Sequence, residues 1–378
     1  MDFELTEKQK DIQQTAASYV KRSVVPVAAE LDRTKNREKL LGILKELAGL
    51  GFMGIAVDPK YGGTGADSVS FSLAMTELGR GCASTTVTTS VTNMVAEVIQ
   101  GVGSEELRQK YIPPICSGEY AAGGFALTEA VAGSDPAAMR MSATVDGDYY
   151  VLNGQKLFIS SAEFAGVFVV WAVTDKDARK GRGISAFLVE PSFPGFKVGQ
   201  AEKKLGQLAS PTNEVILDNC RVPKENMLGV LNDGFRIAAS ELAGGRIGIG
   251  SLALGVGLAA MDFARDYVKE QGTGMKRSSV DPLIAENYTR LAGARLLLLQ
   301  AAYLKDQKKF FAKNASMAKV YATEAANRAC HDAMQIVGDY GYTEGCPVER
   351  YYRDARVTAI YEGTSEIQRL IISRELLR

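Results

Sequence analysis

The sequence predicts an α+β chain in three blocks. These are an N-terminal helical domain over residues 1–119, a middle β-domain of sandwich or barrel-like form over 120–228, and a C-terminal four-helix bundle over 229–378. Three observations predict it. Apolar residues recur with a helical period in the first and last thirds and with a period of two between them. The 378 residues exceed what one hydrophobic core usually supports. The apolar fraction, 46%, is that of a globular protein.

In the first block, "KLLGILKELAGLGF" places Leu41, Leu44, Leu47 and Leu50 three apart, with Leu40 four before Leu44, a helical spacing. "DPKYGGTGADSVS" interrupts the pattern as a glycine-rich loop, after which Asp67 or Ser68 can cap the next helix. In the middle block, "SATVDGDYYVLNGQKLFIS" alternates around Asp146-Gly147 and Asn153-Gly154, two dipeptides expected to form tight hairpin turns. "FVVWAVTD", "ISAFLVE" and "NEVILDNCRV" supply three more strands, and Pro223 closes the block. Helical spacing returns over 235–270, 283–309, 314–337 and 364–377, which makes a bundle. "GIGSLALGVGLAAM" and "LLLLQAAYL" are apolar around most of the helix, so both must be covered on more than one side, by bundle neighbours or by another subunit.

The 44 basic and 44 acidic residues balance, which leaves no net field to recruit nucleic acid or an acidic membrane. Cys82, Cys116, Cys220, Cys330 and Cys346 are odd in number, with no C-x-x-C spacing, so neither a disulfide framework nor a zinc site is expected. The start, "MDFELTEKQKDIQQ", is charged, and no stretch approaches about 20 uninterrupted apolar residues. A soluble, cytoplasmic protein without metal is the expectation. The single histidine, His331, lies in a helical run, and G-x-S-x-G, H-E-x-x-H and G-x-G-x-x-G are all absent. Most hydrolase, metalloenzyme and Rossmann-type chemistry is thereby set aside.

Attention falls on "RVTAIYEGTSEIQRLII", where Glu362 stands between two apolar runs. A carboxylate there can simply favour the N-terminus of the following helix. Its apolar flanks can also desolvate it, raise its pKa and make it a general base, which for redox work needs an electron-accepting cofactor. Glu97 interrupts another apolar run, and a solvated helix face is the favoured expectation, with a polar substrate contact as the alternative.

Over essentially its whole length the chain resembles the flavin-dependent acyl-CoA dehydrogenase family. "FALTEAVAGSD" resembles that family's flavin-and-substrate loop, and "IYEGTSEIQR" resembles its catalytic-base segment. The resemblance implies the acyl-CoA dehydrogenase fold, a homotetramer, FAD, an acyl-CoA substrate and electron-transfer flavoprotein as partner. It implies that Glu362 abstracts the α-proton while the β-hydrogen leaves as hydride to flavin N5. Phe125, Leu127 and Thr128 would then contact the flavin, and Ser134 the cofactor and the CoA. Ser160 would contact N5, and Phe158 would stand where a tryptophan is more usual. Tyr361 and Gly363 would line the thioester site, with Arg246 supporting that segment and Arg374 near the CoA adenine. Thr364 and Glu366 would approach the flavin diphosphate, Glu366 replacing a glutamine.

Departures cluster elsewhere. Where the family carries R-x-Q-F-G, reaching across a subunit interface to the flavin, this chain reads "QGTGMKRSS", leaving Lys276 or Arg277 as the nearest cations. Its "QIVGDYGY" keeps Gln335 and Gly338 of the related flavin segment but puts Asp339 in place of a glycine. Ala243 stands where short-chain relatives often carry aspartate. An oxidase, an enoyl-CoA reductase, a desulfinase, an enzyme of carrier-protein thioesters, or one subunit of a heteromeric assembly sharing its flavin site all remain as alternatives.

Overall fold

Residues 4–271 and 276–378 are described by the computed structural model. The N-terminal helices are α1 (Glu7–Tyr19), α2 (Val25–Thr34), α3 (Arg37–Gly49), α4 (Ser68–Gly81), α5 (Ala83–Val102) and α6 (Glu105–Ser117). A π-turn over Val20–Val24 joins the first two. Asp67 is the N-cap of α4 and accepts from the Ser70 N–H, satisfying a donor the helix cannot satisfy itself. Leu40, Leu44 and Leu47 are buried as their spacing requires, whereas Leu41 is half-buried and Leu50, at the C-cap where the helix ends, is exposed.

Eight strands follow: β1 (Ala122–Ala126), β2 (Ser142–Asp146), β3 (Tyr149–Ser160), β4 (Ala165–Val173), β5 (Ile184–Val189), β6 (Phe196–Ala201), β7 (Thr212–Pro223) and β8 (Met227–Leu228). They form one sheet in the order β6-β7-β3-β2-β4-β5-β8, with β1 parallel to β4. Alternation along β4 sorts its side chains: Val167, Val169 and Trp171 pack towards α5, α6 and α7, whereas Phe168, Val170 and Ala172 join a core built within the β-domain. The sheet therefore curls over its own core, as a barrel does. Asp146-Gly147 turns the β2–β3 hairpin. Asn153-Gly154 does not turn. It lies inside β3 at a bulge against β7, where Gly154 takes φ 147° and a side chain would collide with Met141.

The C-terminal block holds α7 (Gly234–Gln271), α8 (Arg277–Asp306), α9 (Ala312–Val337) and α11 (Ser365–Leu376), together with a short fifth helix, α10 (Pro347–Arg356), absent from the sequence reading. Among the described residues α7 is the one helix long and apolar enough to cross a membrane, and it is buried as the central core element. The all-round apolar stretch in α7 thus packs within the chain. Much of α8 is different, with Leu296 and Tyr303 left exposed.

Candidate active site

The chain from Ile360 to Ser365 is shaped by two successive left-handed residues, Glu362 (φ 51°) and Gly363 (φ 96°). Glycine takes that conformation freely, whereas a glutamate there is strained, the mark of a residue held for its position. Thr364 caps α11 by accepting from the Ile367 N–H. The carbonyls of the turn are held from two sides. Gln368, fully buried, donates to the carbonyls of Glu362 at 3.1 Å and Gly363 at 3.0 Å, and Lys319 of α9 donates to Gly363 at 2.8 Å. Among the described residues the Glu362 N–H donates to no acceptor, and the carboxylate atom Oε2 is buried without a hydrogen-bond partner.

Burial pushes the Glu362 carboxyl up to about 7, with the charges of Lys319 and Arg246 opposing. Desolvation also holds Lys319 down, at about 8, and Arg246 below its usual range. Arg246 donates to Ser316 Oγ at 3.3 Å, and its Nε has no partner. Gly245, one residue earlier on α7, faces Glu362: a Cβ there would overlap Oε2 and lie 2.7 Å from Met94 Sδ of α5. Tyr361 accepts from Gln207 Nε2 at 3.1 Å. Gln207 is itself anchored on α10, its N–H donating to the buried carboxyl of Asp354, which burial raises to about 7.

A second wall comes from the sheet. Phe158 has φ 59° and is 60% exposed, an aromatic ring turned out of β3 by a left-handed kink. Thr128 stands beside it because its carbonyl accepts from the Leu157 N–H at 2.8 Å. Phe125 packs on Trp171 at 4.5 Å, Leu127 is buried, and Ser160 is half-buried at the strand end. Lys156, completely buried, donates to the Leu127 carbonyl at 3.1 Å and to Glu129 Oε1 at 2.8 Å, locking the Thr128 loop onto β3. An exposed Phe on a strained strand, flanked by a threonine and a serine, suits the face of a flat heteroaromatic ring, so these residues fit the isoalloxazine end of a flavin. The loop 202–211 bridges the walls, since Pro211 accepts from the Ser161 N–H while Gln207 reaches Tyr361.

The structure thus brings together Phe125, Leu127, Thr128, Phe158 and Ser160 on one side, and Tyr361, Glu362, Gly363 and Arg246 on the other. It does not bring in the rest. Gln335, Gly338 and Asp339 are exposed at the far end of α9, sixteen residues beyond Lys319, about 24 Å at helical rise. Ser134, Glu366 and Arg374 are exposed. Thr364 serves as a cap, and Glu366 is held below the usual carboxylate range by its own backbone N–H and by Thr364. Arg277 pairs with Asp281, and residues 272–275 of the altered "QGTGMKRSS" segment lie outside the described residues.

Glu97 is corrected: it is no solvated face but the partly buried partner of Lys305. Sequence reasoning missed Lys319, Gln368, Gln207, Glu241 and Lys305. Lys319 had a signal, being a cation in register with Ala315, Ala318, Ala322 and Ala326 on a buried alanine face.

Comparison with known proteins accords with this geometry. The acyl-CoA dehydrogenase N-terminal, middle and C-terminal domains match residues 6–119, 124–220 and 232–377. The short-chain specific acyl-CoA dehydrogenase of Clostridium acetobutylicum is 40% identical over 383 residues, covering all of both chains. Acryloyl-CoA reductase (NADH) of Anaerotignum propionicum is 39% identical, covering 100% of this chain and 96% of that one. The solved butyryl-CoA dehydrogenase of Megasphaera elsdenii superposes with a TM-score of 0.96 at 37% identity, covering both chains completely. The chain belongs to the acyl-CoA dehydrogenase family.

Proposed function

We propose that this enzyme oxidises short acyl-CoA thioesters between Cα and Cβ, with Glu362 as the base, FAD as cofactor and electron-transfer flavoprotein as acceptor. The observation that carries the reading is Glu362, whose Oε2 is buried without a hydrogen-bond partner and whose carboxyl burial pushes up to about 7 beside two cations. A carboxyl near neutrality is matched to taking and returning a proton at physiological pH.

Bound FAD would supply the two-electron acceptor for the β-hydrogen, and Phe125, Leu127, Thr128, Phe158 and Ser160 would hold its ring. The remaining work falls to the chain. Glu362 takes the α-proton. Its own N–H, without an acceptor, is available to the thioester oxygen as negative charge develops there. Lys319 and Gln368 hold the turn so that carboxylate and N–H keep their relative positions. Tyr361 shields the site from water.

Sequence likeness to butyryl and short-chain enzymes supports a short acyl group. Five buried free cysteines suit a reducing cytoplasm. Exposed Leu296, Tyr303, Tyr321 and Leu370 on the C-terminal helices support assembly as a homotetramer. Ser134, Arg374, Glu366, Gln335, Gly338 and Asp339 would act on the CoA and on the outer parts of FAD, some across a subunit boundary.

Likeness to the acryloyl-CoA reductase favours a second reading, in which protonated Glu362 returns a proton to Cα of an enoyl-CoA. The test is anaerobic titration of the flavoprotein with acyl-CoAs, then of the reduced protein with enoyl-CoAs. Bleaching by butyryl-CoA that is lost in Glu362→Gln supports the first reading. Reoxidation by an enoyl-CoA without bleaching by any saturated thioester supports the second.

A further inference from the structure

One helical turn beyond Glu362 lies a charged cluster that the chemistry above does not use. Gly245 touches Glu362 and Met94. Four residues back on α7 is Glu241, and three residues on from Met94 along α5 is Glu97, so both helices carry a carboxylate to the same level, about 5–6 Å past the base. Lys305 enters from α8, pairs with Glu97, and lies 3.2 Å from where a Cβ on Gly244 would stand, with Glu241 Oε1 at 3.8 Å from the same point. The absence of side chains at Gly244 and Gly245 lets Lys305 approach α7 at the first and Glu362 and Met94 at the second.

The balance of charge is uneven. Glu97 and Glu241 share one local ammonium, that of Lys305, because the cations acting on nearby Glu362 are Lys319 and Arg246. Glu97 holds Lys305, whereas the Glu241 carboxyl has no hydrogen bond or ion pair of its own among the described residues. Burial, and next the charge of Glu97, push Glu241 well above the carboxylate range, with Lys305 opposing. Lys305 itself is raised by Glu97 and Glu241 against the effect of burial. A bare methyl would leave Glu241 without a partner, and a carboxylate would add one more negative charge. A cation would complete two carboxylate–ammonium pairs.

Resting on the reading of Glu362 as base, we propose that Glu241, Glu97 and Lys305 form a subsite for the far end of the acyl chain, and that it selects a short acyl-CoA carrying a terminal amine. From a Cα placed at Glu362, the span fits an acyl chain of about five or six carbons.

The test uses 5-aminopentanoyl-CoA, 5-hydroxypentanoyl-CoA, hexanoyl-CoA and adipyl-CoA. Binding to Glu362→Gln flavoprotein is read by calorimetry, so that preference is measured whether or not turnover occurs. The amine is expected to bind about tenfold more tightly than the methyl, the hydroxyl between them and the carboxylate weakest. Adding Glu241→Gln should bring the amine-to-methyl ratio close to one, and adding Lys305→Gln should raise it. Opposite movements cannot come from general damage to the fold. Equal or tighter binding of hexanoyl-CoA, or a ratio unmoved by both substitutions, overturns the subsite. Bleaching of the wild-type flavin by butyryl-CoA, read separately, tells whether the reading of Glu362 stands when the subsite fails.

Discussion

Lys319 Nζ donates to the carbonyl of Gly363 at 2.8 Å, so α9 grips the residue immediately after Glu362 while its charge lowers the Glu362 pKa. Lys319→Met removes both effects. Flavin reduction should slow by about tenfold or more as the turn loosens. The pH at which the rate rises should move upward by roughly one unit, because a cation favouring the carboxylate has gone. Pre-steady-state reduction between pH 6 and 9 reads both.

Glu362→Gln should keep the flavin spectrum and lower the reduction rate by a factor on the order of 100 to 10,000 or more. It should also change stability in a defined direction. The folded pKa of about 7 exceeds the ordinary 4.5, so the folded chain holds a proton that the unfolded chain has lost between those values. Stability therefore falls as pH rises through that window, and the full penalty, on the order of 1–3 kcal/mol, is present above pH 7. Glutamine carries no such penalty. Its Tm should exceed that of the wild type at pH 8 and converge with it near pH 4.

Gly245→Ala places a methyl against Glu362 and Met94. The carboxylate must move, and turnover should fall by about 100-fold. Gly42→Ala on α3 meets nothing within 4 Å and should leave activity unchanged. Steady-state assays of the two variants make the comparison.

Lys156→Met breaks the buried pair with Glu129 and strands a charge inside the β-domain. The expected cost is about 3–5 kcal/mol in denaturant unfolding. Glu129 keeps the N–H groups of Arg140 and Met141, so Lys156→Met with Glu129→Gln should recover part of that loss. Release of flavin on dialysis should be faster in the single variant, because the Leu127 carbonyl loses its donor.

Much of the fold was legible because period is a local property. Leu40, Leu44 and Leu47 announce a buried helical face whatever they pack against, and the short β-branched and aromatic run "FVVWAVTD" announces a strand. The hairpin expected at Asn153-Gly154 was misread because the dipeptide permits φ > 0 without deciding its use. Pairing with β7 turned that freedom into a bulge. Glu97 was misread for a related reason, since its partner Lys305 is 208 residues away.

By itself, the sequence determined the order of helical, β and helical blocks and the segment carrying Glu362. These follow from periodicity and composition. Only the tertiary structure decided that Glu362 is desolvated to near neutrality between Lys319 and Arg246, and that Phe158 stands open beside Thr128. It also decided that Glu241 and Glu97 meet Lys305 a turn away. Burial and charge proximity arise from contacts between distant segments, and no local pattern encodes them.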